Sequence, residues 1–547
     1  MKSTMSRVAL SVSEIFSHGE MLYSDSKVFT FTGDGTHVLT YSQVAKRARQ
    51  LANGLVALGV KGDDRVATFC FNHNQHLEAY LAIPSMGAVL HTLNVRLFAD
   101  QLQFIIDDAS DKVIIADNIV LPLLLKCLVG RDSVETVLVV GPFDEAGVEN
   151  FRAESGSSVK FVDYDSYIAN FSEDFDCVEI ADENDAAAMC YTSGTTGNPK
   201  GVVYSHRSTY LHSLAASSSA SLGLNSRDRT LVIVPMFHAN AWGIPYAGWF
   251  VGSDMIMPGR FLQAGPLAVM INELKPTIAS GVPVIWNDLL HYCEDNPTDF
   301  SSLRVISAGG SAVPRALIEG YRDRYGLTLL QGWGMTETSP LCTLAIPPDN
   351  VKEEDRIKYL VTAGRPVAGV EIRIVDAEGN KLPNDGVSMG EIQVSGPWIT
   401  NSYYKGVNPA SFDGRWLRTG DMGTLDLEGY LRITDRTKDV IKSGGEWISS
   451  VELENAIMAH PDVFEAAVVG VPDDKWDERP LACVVLKEGS QVTASDLSNF
   501  ILSQVAKWWL PERWSFVTEI PKTSVGKFDK KVLRNLYSED KLHIHHV

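Results

Sequence analysis

Apolar residues in the first third of the chain follow two alternating patterns, one with helical spacing and one of short uninterrupted runs. Thr40 to Gln43 reads as a capping box, and the apolar residues after it recur at helical spacing until Gly59, which suits a helix C-terminus. Short runs typical of buried strands occur at 66–70, 113–116 and 137–140. Strands separated by helices predict a mainly parallel α/β sheet.

The pattern changes near Gly364. Short apolar runs at 370–375, 390–394 and 430–434 are separated by turns rich in Gly, Asp and Asn. These runs predict a β-rich subdomain.

Helical and strand patterns alternate again after Asp435. Capping signals at Ser449 and Thr493 predict two helices, and apolar runs predict strands at 465–471 and 481–486. The second helix is expected to carry an apolar face formed by Leu497, Phe500, Ile501 and Val505. Because no long linker precedes this unit, we predict a hinge near Asp435 rather than a flexible tether.

Composition and charge exclude several classes of protein. The chain has 547 residues, too many for one ordinary hydrophobic core. Its 68 acidic and 48 basic residues give a net charge of −20, which argues against a general nucleic-acid binder but leaves room for a local anion pocket. No apolar run approaches the ~20 residues of a membrane span, and neither terminus carries a recognisable secretory or organelle signal. Seven scattered cysteines favour reduced thiols, so we expect a cytoplasmic protein.

The segment YTSGTTGNPKG, residues 191–201, is the clearest candidate for chemistry. It follows a predicted strand at 186–190, and its glycines let backbone N–H groups approach phosphate oxygens. Its hydroxyl groups can donate hydrogen bonds or bind Mg²⁺, and Lys200 supplies positive charge. The segment is not a Walker A loop, because Pro199 precedes the lysine and Gly201 follows it. By itself it is also compatible with an ordinary surface turn.

This segment closely resembles the signature of the adenylate-forming superfamily, which includes acyl-CoA synthetases and firefly luciferase. Four further motifs match in the same order, at 332–340, 416–423, 435–449 and 521–530. Within the superfamily the chain is most similar to bacterial medium- and long-chain fatty acyl-CoA synthetases, through residues 76–94, 234–243 and 441–454.

The resemblance implies an α/β fold in two parts. The N-terminal part, 1–434, would contain two α/β subdomains and the β-rich subdomain, with the acyl and ATP sites. The C-terminal part, 435–547, would be a small mobile α/β domain that carries the catalytic lysine.

The resemblance also assigns ligand-binding roles. Trp333 would stack on adenine, Asp421 would accept the ribose hydroxyls, and Thr192 and Glu337 would bind Mg²⁺. The full nucleotide set is Thr192, Ser193, Gly194, Thr195, Thr196, Gly197, Lys200, Gln331, Gly332, Trp333, Thr336, Asp421, Arg436, Lys438, Lys442 and Trp447.

The expected reaction activates a fatty acid with ATP to acyl-AMP and pyrophosphate, and then transfers the acyl group to CoA. Lys527 and Lys200 would stabilise the developing charge, and His238 would orient the acyl carboxylate. Trp242 would gate the acyl tunnel, although core packing is its alternative. After the small domain rotates, CoA would pass along Ser443, Gly444 and Gly445.

Several alternatives stay open at this point. The substrate could be a short-chain, methylthio or aromatic acid, the acceptor could be a carrier protein, and a luciferase-like oxygenation would show as light or oxygen uptake. A protein of a different class would bind acyl adenylates or lipids without catalysis. The resemblance further implies a homodimer, and the sequence leaves peripheral membrane contact undecided.

Overall fold

The computed structural model of this chain describes residues 1, 3–131, 133–192, 198–436, 439–443, 446–473, 475–522 and 528–547. The side chains of Lys442, Glu446 and Trp447 fall outside that description.

Residues 12–205 alternate helices and strands, as the apolar pattern predicts. Their elements are α1 (Val12–Tyr23), β1 (Lys27–Phe31), β2 (Thr36–Thr40), α2 (Tyr41–Ala57), β3 (Arg65–Phe69), α3 (Asn74–Ser85), β4 (Val89–Thr92), α4 (Ala99–Ala109), β5 (Val113–Asp117), α5 (Leu121–Leu128), β6 (Thr136–Val140), α6 (Glu145–Ser155), β7 (Lys160–Asp163), α7 (Tyr164–Ile168), β8 (Ala186–Thr192) and β9 (Lys200–Ser205). In the described residues, seven of these strands form one sheet in the order β7-β6-β5-β3-β4-β8-β9. All its pairs except β8–β9 are parallel, which confirms the predicted sheet type.

Residues 206–366 build a second α/β layer. Their elements are α8 (His206–Ser217), β10 (Arg229–Leu231), the single turn α9 (Ala239–Trp242), α10 (Ile244–Val251), β11 (Asp254–Met257), α11 (Ala264–Leu274), β12 (Ile278–Gly281), α12 (Pro283–Asp295), β13 (Val305–Ala308), α13 (Arg315–Tyr325), β14 (Leu329–Gly334), β15 (Leu341–Leu344), α14 (Glu353–Leu360) and β16 (Arg365–Pro366). Within the part of the chain that is described, the order of this nine-stranded sheet is β16-β15-β14-β13-β12-β10-β11-β1-β2. The first strands of the chain therefore complete a sheet whose other members follow two hundred residues later.

The predicted β-rich region is a separate antiparallel sheet. Its strands are β17 (Glu371–Val375), β18 (Gly390–Ser395), β19 (Phe412–Asp413), β20 (Trp416–Leu425) and β21 (Leu431–Arg436). Three of them match the predicted runs to within two residues at either end, and each pairs antiparallel with its neighbour.

The last hundred residues form a sheet of their own, with helices beside it. The elements are β22 (Ile441–Ser443), β23 (Glu446–Ile448), α15 (Ser450–Met458), β24 (Val463–Asp473), β25 (Asp477–Leu486), α16 (Ala494–Ile501), β26 (Arg513–Phe516), α17 (Lys530–Ser538) and β27 (His545–His546). Both predicted caps are confirmed, since Ser449 accepts from the Glu452 N–H and Thr493 forms a capping box with Asp496. The expectation that Val505 continues the second helix is wrong, because α16 ends at Ile501, although Val505 still packs against the same core.

The largest core lies between the first two sheets and fixes their relative position. Every residue of α3 except Gln75 is buried, which is typical of a helix enclosed by other elements rather than one lying on a surface. Beside it the Tyr41 and Trp249 rings stack with their centroids 4.0 Å apart. The carboxyl ends of β8, β13 and β14 open into one cavity, where α/β sheets commonly bind ligands.

No helix in the described part of the chain is both long and apolar enough to cross a membrane.

Candidate active site

The phosphate-loop candidate connects two antiparallel strands, β8 and β9. Residues 193–197, which include five of the predicted phosphate ligands, lie outside the described residues. The end of β8 is anchored to α4, because the Tyr191 hydroxyl donates to Asp108 Oδ2 at 2.6 Å. The other oxygen of the same carboxylate, Oδ1, lies 2.7 Å from Lys405 Nζ. Thr192 and Lys200, one on each strand, both line the cavity. The hairpin therefore delivers a hydroxyl and an ammonium group to the same opening.

Glu337 sits in a buried 3-10 turn, Thr336–Thr338, immediately after β14. The Tyr403 hydroxyl donates to Glu337 Oε1 at 2.6 Å. Burial is the main reason that the pKa of Tyr403 is raised, and the neighbouring Glu337 carboxylate raises it further. Lys200 Nζ lies 5.0 Å from the centre of the Tyr403 ring, a cation–π distance. One tyrosine thus contacts both the candidate metal ligand and the candidate phosphate ligand. Sequence reasoning did not single out Tyr403.

Asp421 lies on β20, lines the same cavity and is almost fully buried. Trp333 Nε1 donates to Asp421 Oδ2 at 2.9 Å, and Arg436 Nε lies 3.1 Å from Asp421 Oδ1. The arginine reaches it because Asp421 and Arg436 are direct cross-strand partners in the β20–β21 ladder. The Asp421 carboxylate raises the pKa of the Arg436 guanidinium. The structure thus joins three residues that the sequence assigned separately to the nucleotide.

An unusual backbone segment begins directly after His238 and includes Trp242. Residues Ala239 to Trp242 all have φ between 42° and 58°, and Gly243 follows at 71°. Non-glycine residues rarely adopt this left-handed conformation, and each costs roughly 1–2 kcal/mol. Such strain concentrates at functional sites, where surrounding contacts hold it in place. The turn therefore supports a functional rather than a purely packing role for this segment.

Contacts of Asn240 hold the left-handed turn in place. Its side-chain oxygen accepts from Thr92 Oγ1 at 3.3 Å and from Cys190 Sγ at 3.0 Å. Asparagine is also among the side chains that tolerate this backbone region best. At the far end of the turn the Trp242 ring packs over Gly309, where an added Cβ would lie 3.1 Å from it.

One cavity of about 1900 Å³ brings most of the described candidates together. The predicted residues that line it are Thr192, Lys200, His238, Trp242, Gln331, Gly332, Trp333, Thr336, Glu337, Asp421 and Arg436. Gly309, Gly310 and Ser311, which resemble an adenine-pocket wall, line it as well.

The remaining candidates are either outside the described residues or not among those that line the cavity. Lys438, Gly444, Gly445 and Lys527 lie outside the described residues, and Lys442 and Trp447 are described only by their backbone positions on β22 and β23. Ser443 is buried, and its Oγ lies 3.2 Å from Arg479 Nη1. The described neighbours of Lys527 do reach the cavity, since Lys522 and Phe528 form a β-bridge and both line it.

The predicted hinge residue, Asp435, is the centre of a buried polar cluster. Asp435 Oδ2 accepts from both the backbone N–H and the hydroxyl of Ser450, at the start of α15. Lys530 Nζ contacts the same hydroxyl and lies 2.8 Å from Glu454 Oε1. Burial raises the pKa of both the Asp435 and Glu454 carboxyl groups. For Lys530 burial acts in the opposite direction, but the two carboxylates outweigh it and raise the pKa of the ammonium group.

Family models and curated relatives both match this chain over most of its length. The AMP-binding enzyme model matches residues 21–404, and the AMP-binding enzyme C-terminal domain model matches residues 452–527. The chain is 41% identical to a 3-methylmercaptopropionyl-CoA ligase of Ruegeria pomeroyi, covering 97% of this chain and 98% of that protein. It is 43% identical to a long-chain-fatty-acid–CoA ligase of Thermus thermophilus, covering 98% and 97%.

Solved structures of related ligases superpose on nearly the whole chain. The anthranilate CoA ligase AuaEII in complex with anthranoyl-AMP superposes with a TM-score of 0.88 at 26% identity, covering 99% of this chain and all of that chain. ATP-bound MatB from Rhodopseudomonas palustris superposes with a TM-score of 0.80 at 26% identity, covering 97% and 99%. The chain therefore belongs to the AMP-binding enzyme family of the adenylate-forming superfamily, as its five ordered motifs predicted.

Proposed function

We propose that this protein is an ATP- and Mg²⁺-dependent ligase that converts a medium- to long-chain fatty acid into its CoA thioester. The observation that carries this proposal is the single cavity in which the nucleotide candidates Trp333 and Asp421 meet His238 and Trp242. Two substrates that must react with each other need one continuous site. The names of the relatives, which are acid–CoA ligases, support the same class of reaction.

In the first step a carboxylate oxygen of the acid attacks the α-phosphorus of ATP, the α–β phosphoanhydride bond breaks, and pyrophosphate leaves. Two anions approach each other, so the site needs positive charge and donors rather than a protein nucleophile. Lys200 and Lys527 supply that charge in this proposal, and His238 orients the carboxylate. Trp333 and Asp421 hold the adenine and ribose.

The oxygen donors of the site fit a magnesium ion. Thr192 and Glu337 offer a hydroxyl and a carboxylate, and both line the cavity beside the phosphate-loop candidate. Mg²⁺ prefers such hard oxygen ligands, in small number, with phosphates and water completing its shell. When bound, the ion would neutralise phosphate charge. The hydrogen bond from the Tyr403 hydroxyl to Oε1 orients the Glu337 carboxylate.

In the second step the thiol of CoA loses its proton and its sulfur attacks the acyl carbonyl, so that the acyl–phosphate bond breaks and AMP leaves. We place the domain boundary at Asp435 and propose that the C-terminal unit rotates about this residue between the two steps. Lys527 would then leave the site, and the Ser443 to Gly445 segment would approach it. In the conformation described here the Asp435–Ser450–Lys530 cluster holds the end of β21 to α15 and α17, so the proposed rotation requires these contacts to rearrange.

The apolar wall of the cavity supports a fatty acid as the substrate. The cavity lining includes aliphatic side chains on or near α8, α10 and α13, among them Ala216, Leu222, Ile233, Ile244, Leu262 and Leu317. A second candidate is a short methylthio acid, which is favoured by the 3-methylmercaptopropionyl-CoA ligase relative. Homodimer formation stays a prediction.

The proposal is tested by CoA-dependent AMP release with acetate, C6, C12 and C18 fatty acids, benzoate and 3-methylthiopropionate. We expect the highest kcat/KM at C8 or longer, because each buried methylene adds about 0.8 kcal/mol of favourable transfer. A maximum at 3-methylthiopropionate would replace the fatty acid with the second candidate. AMP release without thioester would indicate a carrier-protein acceptor, and no release with any acid would refute catalysis.

Tyr403→Phe tests the assignment of Glu337 and Lys200. Removing the hydroxyl leaves the ring under Lys200 but deprives Glu337 of a buried donor, so we expect the KM for MgATP to rise by about five- to tenfold. The KM for the acid should stay unchanged. Tyr404→Phe is the matched control, since its ring contacts Lys405 instead. An equal rise of both KM values in Tyr403→Phe would contradict the assignment.

A further inference from the structure

The Asp421 carboxylate is held by a hydrogen bond at one oxygen and an ion pair at the other. Trp333 Nε1–H donates to Oδ2 at 2.9 Å, and the Arg436 guanidinium lies 3.1 Å from Oδ1. The Asp421 side chain is only 6% exposed, yet it lines the cavity. Its backbone N–H is also engaged, since it donates to Thr419 Oγ1. The carboxylate is therefore fixed in orientation before any ligand binds.

Trp333 reaches Asp421 because of a local irregularity in its strand. The β14–β15 ladder shifts register between Trp333 and Gly334, and such a bulge re-aims the side chain beside it. The contact also depends on the indole N–H, because phenylalanine has no ring donor and the donor of tyrosine is an O–H at a different position. The residue type at position 333 thus decides whether Asp421 has a partner from the N-terminal region.

The two protein donors leave Asp421 with unused acceptor capacity. An ionised carboxylate has about four acceptor sites, two on each oxygen. Among the described residues, Trp333 donates one hydrogen bond to Oδ2 and Arg436 forms an ion pair at Oδ1, which leaves acceptor sites on both oxygens. A vicinal diol can donate to both oxygens of one carboxylate at once.

We propose that Trp333 is a positioning residue for sugar selection: its indole N–H holds Asp421 so that the carboxylate accepts both ribose hydroxyls and the enzyme rejects deoxynucleotides. This inference rests on the proposed function, in which Asp421 binds the ribose of ATP. A role in sugar selection differs from stacking on adenine, because stacking acts equally on every adenine nucleotide. The Arg436 donor follows the hinge residue Asp435 directly in sequence, whereas Trp333 belongs to β14. Trp333 therefore keeps the orientation of the Asp421 carboxylate whatever the position of the C-terminal unit.

The test measures dissociation constants for ATP, 2′-deoxy-ATP and 3′-deoxy-ATP by isothermal titration calorimetry. The wild-type protein is expected to bind ATP more tightly than either deoxynucleotide. In Trp333→Phe the affinity for ATP should fall by about tenfold, in keeping with the loss of a hydrogen bond to a charged group, and the affinities for the deoxynucleotides should fall by less. The preference for ATP therefore shrinks. Trp333→Tyr should behave in the same way, so the result does not depend on the folding of one variant.

Trp416→Phe is the matched control. Trp416 lies on the same strand as Asp421, but its ring contacts Arg373 and Arg415, so the preference for ATP should equal that of the wild type. An equal loss of affinity for all three nucleotides in Trp333→Phe would show that the ring acts only by stacking and would overturn the proposal.

Asp421→Asn separates this failure from failure of the proposed function. If Asp421 binds ribose, this variant loses the preference for ATP whatever Trp333 does. A wild-type protein that binds no nucleotide, or an Asp421→Asn variant that keeps the full preference, would refute the ribose site itself and the inference with it.

Discussion

Replacing Lys527 by alanine is expected to lower the rate of acyl-adenylate formation by about 100- to 1000-fold, the usual cost of removing one preorganised donor from a transition state. Negative charge accumulates between the carboxylate and the α-phosphate only as they react, so the lysine contributes mainly to kcat. Lys522 and Phe528, which precede and follow Lys527 within the motif, line the cavity, which supports this placement. Acid-dependent pyrophosphate release measures the step.

The second half-reaction provides the internal comparison. Transfer from chemically prepared acyl-AMP to CoA should remain within about threefold of the wild-type rate, because in the proposed mechanism Lys527 has left the site. Lys541→Ala is the matched control, since Lys541 is exposed in the same C-terminal unit and pairs with Glu539. Equal losses in both half-reactions would argue for a general structural role and against the two-step rotation.

Gly364→Ala is expected to destabilise the fold by about 3–5 kcal/mol, near the upper end for a single substitution. Gly364 has φ of 94°, a region that costs a non-glycine residue roughly 1–2 kcal/mol. An added Cβ would also lie 2.1 Å from the Leu344 carbonyl carbon and 2.3 Å from the Ala345 nitrogen. These are backbone atoms and cannot rotate away. Relief of the overlap requires β15 to move.

The same substitution should weaken nucleotide binding. Leu344 pairs with Gly332 in the β14–β15 ladder, next to Trp333, so a shift of β15 reaches the adenine wall. Gly364 also forms the bridge to Leu431 that joins the nine-stranded sheet to β21.

Gly379→Ala isolates the backbone contribution. Gly379 has φ of 87°, but nothing lies within 4 Å of its added Cβ, so this variant should lose only about 1 kcal/mol. Urea unfolding followed by tryptophan fluorescence compares the two variants. Similar unfolding midpoints for both would show that β15 yields without cost and would contradict the prediction.

The sequence by itself determined the local features of this protein. Helix starts at Thr40, Ser449 and Thr493 were predictable because a cap and its partner lie within three residues of each other. The positions of β3, β5, β6 and β8 in the first sheet were predictable because a buried strand of a parallel sheet is a short apolar run. The order of five motifs was enough to identify the superfamily and to name eleven of the predicted site residues that line the cavity.

Only the tertiary structure decided how those residues act on one another. Trp333 and Asp421 are 88 positions apart and Tyr403 and Glu337 are 66 apart, yet each pair is joined by one hydrogen bond. The Lys530 contacts with the Ser450–Glu454 region likewise span about 80 positions. No local pattern encodes such pairs, because periodicity and capping report only on neighbours along the chain. Their partners are set by sheet order, by a register shift at Trp333 and by a left-handed turn at Asn240, which form only when distant segments pack together.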